Sequence, residues 1–301
     1  MAGSSTPQWR VAIATASDTT EMHEDGPLLL GALAGAGIDA EARSWGPLEG
    51  WDAYDAVFIR ATWDYPQKLD EFVAWVDAVA TQTRLANPAP ILRWNTDKRY
   101  LRGLEAAGVP TIPTVWSSDG EAPEIPAEWD EFVVKPIVSA GGMLSARYSQ
   151  DRRDEAAAHA ADIVRRGRGA MVQPYLPSVD SVGETGTYVF GGEVSHAIRK
   201  GGILVPGAAP PEGNDLASLQ QVGPREVTTE AAAFARRVVA AVPGGGDQLL
   251  YARVDTVPDA SGSPLLIELE VTEPFLFLEH APGAADRFAA AAARWLATSR
   301  R

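Results

Sequence analysis

Residues 265–277 read LLIELEVTEPFLF, apolar enough for a buried strand, yet Glu268, Glu270 and Glu273 sit inside the run. Burying a carboxylate without a partner is costly, so these acids need something to meet. A second β-rich run just upstream, LLYARVDTV, carries Arg253 and Asp255 two residues apart, and Glu268 and Glu270 have the same spacing. Residues two apart in a strand share a face. The segment PDASGS between the runs reads as a hairpin turn. With a four-residue turn at 260–263, Asp255 lies opposite Glu268 and Arg253 opposite Glu270. Three acids and one arginine on one face is a repulsive arrangement across a sheet. A divalent cation resolves it, and carboxylate oxygens are the ligands Mg²⁺ prefers, commonly with substrate phosphates completing the shell. The plainer alternative is a solvated antiparallel face with a chance acid cluster.

Metal bound without histidine points to phosphoryl chemistry, and phosphates need cations. The chain holds 26 basic residues, of which only Lys68, Lys98, Lys135 and Lys200 are lysines. Lysine offers a compact point charge for one phosphate oxygen, whereas arginine spreads its charge over a fork. Lys135 ends the apolar run FVVKP, and the glycine turn SAGGMLS follows, where backbone N–H groups can approach phosphate oxygens. Lys98 opens a helix and Lys200 ends a strand beside Arg199, while Lys68 reads as a surface residue. Neither GxxxxGK[ST] nor GxGxxG occurs, so neither a Walker NTPase nor a dinucleotide fold is signalled.

These residues need a frame. RVAIATA, IDAEARSW and AVFIRAT read as strands, GPLLLGALAGAG and KLDEFVAWVDAVATQ as helices, and their order suggests a small parallel α/β unit. TDKRYLRGLEAAG, residues 96–108, reads as one helix capped by Thr96 and closed by Gly108. The remainder is α+β: strand, glycine turn and strand over 131–149, a helix, the strand AMVQPYLPSV, a hairpin turning at Gly191-Gly192, a mobile loop over 207–224, a helix, the acidic hairpin and an Ala-rich helix over 284–297. The expected domains are 1–114, 115–178 and 179–301.

Bulk composition narrows the function. A net charge of −14 argues against nucleic acid and anionic membranes as partners. The absence of cysteine removes disulfides, thiolate nucleophiles and Cys-ligated zinc. The opening MAGSSTPQWRVAIATAS has no basic region followed by an apolar run, and no stretch reaches a membrane span, so a soluble cytoplasmic protein is expected. Self-association stays open.

The ordered set of Lys98, VVKP with Lys135, the small-residue loop 139–145, MVQPYL, Asp255 and IELE resembles the ATP-grasp carboxylate–amine ligases, above all their glutathione synthetase and RimK-like branch. The resemblance spans nearly the whole chain. It implies an N-terminal parallel α/β domain followed by two α+β lobes gripping ATP, with ATP and Mg²⁺, two ions, as cofactors. It implies that Lys98 and Lys135 hold phosphates beneath the loop of Ser139, Gly141 and Gly142. Gln173, Pro174, Tyr175 and Leu176 would meet adenine, and Asp180 or Glu184 the ribose. Asp255, Glu268 and Glu270 would ligate Mg²⁺, although Glu270 stands where the family usually has asparagine, which adds a negative charge. Arg253, with Lys200 and Arg199, would act on the transferring phosphate or the substrate carboxylate. The implied reaction passes a phosphoryl group to a carboxylate and then joins the acyl group to nitrogen.

The small amino-acid-like substrate would sit where the N-terminal segments turn, at Ser17, Asp18, Arg60, Thr62 and Asp64, together with Glu273. Arg60 would hold a carboxylate and Asp18 or Asp64 an ammonium; His23, Trp63, Tyr65, Trp94 and Asn95 are further candidates. Among enzymes of this size the pattern is similar to the cyclo-ligase group, in which the nitrogen belongs to the same molecule, as in closing O-ureido-D-serine to D-cycloserine. Intermolecular coupling, a nucleotide-binding module without catalysis and a metal-dependent hydrolase are the competing readings.

Overall fold

The computed structural model describes residues 7–22, 25–213 and 220–298. His23 and the middle of the 207–224 loop lie outside them. The chain forms three sheets. The first is parallel in the order β2-β1-β3-β4, built from β1 (Trp9–Thr15), β2 (Ile38–Ser44), β3 (Ala56–Ala61) and β4 (Arg84–Ala86), with α1 (Asp25–Gly35) and α2 (Leu69–Gln82) connecting them. β3 is buried along its whole length, as befits a central parallel strand. Trp45, Trp51, Phe72 and Trp75 fill the space beside it.

A separate short helix, α3 (Ala89–Asn95), precedes the expected helix over 96–108, which is α4 (Tyr100–Ala106) and starts four residues later than Thr96. Thr96 ends the first instead of capping the second, and its hydroxyl donates to the Arg93 carbonyl. Asp97 accepts the Arg99 N–H at 2.9 Å in the turn before α4, and Arg99, at the N-cap position of that helix, provides no side-chain cap. Gly108, at φ 85°, closes α4 as expected.

The second sheet, order β5-β8-β6-β7, is antiparallel: β5 (Val115–Trp116), β6 (Glu131–Pro136), β7 (Ala146–Ser149) and β8 (Ala170–Pro174), with α5 (Arg153–Arg165) packed on it. The short helix α6 (Ser178–Ser181) leads to the third sheet. That sheet runs β11-β10-β9-β12-β13, also antiparallel: β9 (Glu184–Phe190), β10 (Glu193–Lys200), β11 (Val222–Arg225), β12 (Tyr251–Pro258) and β13 (Pro264–Glu270). β9 and β10 turn at Gly191 and Gly192, both at positive φ, as a two-residue hairpin demands. α7 (Thr229–Ala240) packs on this sheet.

The last helix, α8 (Ala284–Ala297), returns to α1, and its Phe288 ring meets Phe58 of the first sheet and Phe190 and Tyr251 of the third. Phe288→Ala removes a fully buried ring shared by two sheets, and a loss of about 3–5 kcal/mol is expected in denaturant unfolding. A loss near zero would mean the two sheets are not coupled through this helix.

Candidate functional site

The acidic hairpin forms as its residue pattern demands: Asp255 pairs with Glu268 and Arg253 with Glu270. The turn differs. Pro258 pairs with Pro264, so the connection is 259–263, and Ile267 is a bulge residue that restores the register before the acids. Asp259 holds this longer turn by accepting the Ser261 and Ser263 N–H groups.

β13 is the edge strand of its sheet, and its outer edge is closed by the N-terminal half of the chain. Leu266 N–H donates to the Pro110 carbonyl at 2.9 Å, and Leu269 N–H to the Tyr100 hydroxyl at 2.8 Å. Asn95 donates to the Leu269 carbonyl at 2.7 Å and accepts from Val271 N–H at 3.0 Å. Glu268 and Glu270 therefore stand on a strand fixed from both sides. Asn95, expected near the substrate, lines the cleft but works on this strand. Trp94 packs against Tyr100.

The second and third sheets and the end of the first border a cleft of about 900 Å³. Lys98, Lys135, Ser139, Gly141, Gly142, Gln173, Pro174, Tyr175, Leu176, Glu184, Lys200, Arg253, Glu268, Glu270, Glu273 and Arg60 all line it. Residues as far apart in the chain as Arg60 and Glu273 thus converge. The apolar wall of Ile112, Val133, Val179, Ile203 and Leu204 was not foreseen. Single aliphatic residues on separate elements leave no pattern to find.

Ligand atoms of Asp255, Glu268 and Glu270 lie within 4.8 Å of one another. Lys98 pairs with Glu268 at 2.8 Å and donates to the Ser139 carbonyl at 3.0 Å, tying the glycine loop to the hairpin. Lys200 bridges Asp255 at 2.7 Å and Glu184 at 3.0 Å. Arg253 donates to Asp255 at 2.8 and 2.9 Å and also to Glu270. Among the described residues Lys135 makes no ion pair.

The electrostatics show a site short of positive charge at the acids. Burial pushes Asp255 up, but Arg253 and Lys200 outweigh it and hold the carboxyl below its usual value. Glu268 is likewise held low against burial by Lys98 and Lys135. Glu270 is pushed up to about 7, by burial first, with Glu268 and Asp255 opposing the pull of Arg253. Burial, then Glu270 and Glu268, push Glu273 up to about 8. Burial lowers Lys135 to about 8. A divalent cation at the acids and phosphate oxygens at Lys135 would relieve both imbalances, and an all-carboxylate donor set suits Mg²⁺. The residues therefore fit a magnesium nucleotide.

Several expected residues fall elsewhere. Arg199 alternates to the face opposite Lys200 and donates to the Val182 carbonyl, outside the cleft. Asp180 also lies outside it, accepting from the Tyr175 hydroxyl at 2.6 Å and from Arg147 at 2.9 Å. Ser17, Asp18, Thr62 and Asp64 do not line the cleft. Asp64 is consumed by Trp45 Nε1 at 2.7 Å and by the Ser17 N–H and hydroxyl; Thr62 is fully buried and Asp18 exposed. His196 stacks on Tyr188 with centroids 4.2 Å apart and contacts the Leu276 carbonyl, and burial lowers it to about 4, so it serves the structure as a neutral ring. Among the described residues no helix is long and apolar enough to cross a membrane.

Residues 11–87 match the family described as D-cycloserine synthetase DcsG, N-terminal domain. The cycloserine biosynthesis protein DcsG of Streptomyces lavendulae is 36% identical over 298 residues, covering 95% of this chain and 98% of the relative. The crystal structure of D-cycloserine synthetase DcsG superimposes with a TM-score of 0.83 at 34% identity, covering 95% of this chain and 99% of that one. The fold also matches the ATP-grasp ligase PsnB, solved with a phosphomimetic minimal precursor, Mg and ADP, at a TM-score of 0.62, 14% identity and 95% and 98% coverage. With the cleft, its acids and its lysines in the same chain, the protein belongs to the DcsG family of ATP-grasp ligases, ATP-dependent enzymes that join a carboxylate to nitrogen.

Proposed function

We propose that this ligase closes a ring, converting O-ureido-D-serine or a near analogue to the cyclic product, D-cycloserine. The observation that carries the reading is end-to-end likeness to DcsG, 36% identity over 95% of the chain, in a protein whose cleft is lined by Lys98, Lys135, Lys200, Arg253, Glu268 and Glu270. The substrate carboxylate would take the γ-phosphoryl group of ATP, releasing ADP. The ureido nitrogen bonded to oxygen would then displace phosphate to close the ring, and hydrolysis would remove the carbamoyl group from that nitrogen as carbon dioxide and ammonia. No nucleophile from the protein is required; the residues position and neutralise.

Asp255, Glu268 and Glu270 would hold Mg²⁺, one ion or two, which when bound supplies charge neutralisation at the phosphates. Lys98 and Lys135 would hold phosphate oxygens beneath Ser139, Gly141 and Gly142. Gln173, Pro174, Tyr175 and Leu176 would border the base, with Glu184 toward the ribose. Arg253, anchored by Asp255, would face the transferring group, with Lys200 fixing Asp255 from its other side. Domain limits at 114 and 178 agree with one sheet to each segment.

The test incubates the protein with Mg-ATP and O-ureido-D-serine. ADP release that stops without Mg²⁺, with D-cycloserine identified by mass, is expected. ADP release only on adding a second amine, with a product carrying both molecules, would replace ring closure by intermolecular coupling.

A further inference from the structure

One cleft carboxylate is left over by the nucleotide and metal machinery. Asp255, Glu268, Glu270 and Glu184 each have an ion-pair partner, whereas Glu273 has neither an ion pair nor a side-chain hydrogen bond among the described residues. It lines the cleft with Trp63, Tyr65, Phe275 and Phe277, aromatic residues whose ring faces favour a cation.

The segment carrying it is held rigidly. The Pro274 carbonyl accepts from Arg60 Nη2, and the Phe275 carbonyl from the Tyr188 hydroxyl at 2.7 Å. Asp25 accepts the N–H groups of Leu276, Phe277 and Leu278 at 2.9, 2.8 and 2.6 Å. Phe277 sits at φ 49°, unfavourable for a bulky side chain, and these bonds keep it there. Arg60 gives Nη2 to this segment, while its Nε and Nη1 are buried without a hydrogen-bond partner among the described residues. A carboxylate held this firmly, unpartnered and beside aromatic rings, is prepared for a cation from outside the protein.

We propose that Glu273 is a specificity-determining residue of the ligase: its carboxylate receives the α-ammonium of the substrate, so that the enzyme selects an amino acid over the corresponding plain carboxylic acid. This rests on the ligase reading above. It moves the ammonium site from Asp18 or Asp64, which stand outside the cleft, to the segment following β13.

The test compares O-ureido-D-serine with its des-amino analogue in the native protein and in Glu273→Gln. ADP release and calorimetric binding, the latter with Mg²⁺ and a non-hydrolysable ATP analogue, are both measured. The native protein is expected to prefer the amino acid, and Glu273→Gln to lose roughly 30-fold or more of kcat/KM for it, the scale of a hydrogen bond to a charged group. The variant's KM for ATP stays within about 3-fold and its preference for the amine collapses. Retained preference in Glu273→Gln would overturn the assignment, as would a higher Mg²⁺ requirement in its place. Binding preference that the variant loses, without any turnover by the native protein, would sink ring closure and leave the ammonium site standing. No binding preference in the native protein would overturn the site itself.

Discussion

Glu268→Gln is expected to lower Mg²⁺-dependent ADP release by about 10²- to 10³-fold while leaving the protein folded, the range seen when one preorganised electrostatic group is removed. Glutamine keeps the shape of the side chain and can still accept from Lys98, which lies 2.8 Å away. It removes one negative charge from the three-acid set, and Mg²⁺ affinity falls with it. The Glu268 side chain is 28% exposed, so Lys98 regains some hydration and the stability loss should stay near 1 kcal/mol. Raising Mg²⁺ should restore part of the rate, which separates a lost ligand from a misfolded site. ADP release by the variant at the native rate and native Mg²⁺ dependence would mean that the acids do not bind the metal.

What could be read in the chain before folding, and what could not, follows from the range of the forces involved. The opposition of Asp255 to Glu268 follows from period-two alternation and a short turn. It survives a longer turn because a bulge at Ile267 cancels the extra residue. The same alternation separates Lys200 from Arg199: neighbours on a strand face opposite ways, so only one could enter the cleft. The later start of α4 was hidden because Thr96 is a plausible cap, and the choice was made by tertiary demand. Asn95 and Tyr100 must reach the edge of β13 some 170 positions later in the chain. Asp64 illustrates the reverse failure. An acid at the end of a parallel strand reads as a ligand-binding residue, but Trp45 and Ser17 satisfy it locally. Nothing in local pattern tells a carboxylate awaiting a substrate from one already occupied by an indole N–H.

The second large effect is on stability. Asp255→Asn is expected to cost about 3 kcal/mol in denaturant unfolding and to abolish ADP release, because removing one partner of a buried ion pair strands the other charge. Asp255 is 1% exposed and accepts from Arg253 Nε and Nη2 and from Lys200. The lower end of the usual 3–5 kcal/mol range applies because neither cation is left wholly alone: Arg253 keeps Glu270, and Lys200 keeps Glu184. The sign of the pH dependence follows from the carboxyl's depressed pKa. A carboxyl titrating lower in the folded than in the unfolded chain adds stability that is complete above its unfolded value and disappears as pH falls through its folded value. The native protein therefore carries this contribution throughout the neutral range, and the gap between native and Asp255→Asn closes only under strongly acid conditions. A difference below about 1 kcal/mol at neutral pH would show that Arg253 and Lys200 find full compensation without Asp255, and the hairpin would then owe its buried charge balance to Glu270 and Glu184 instead.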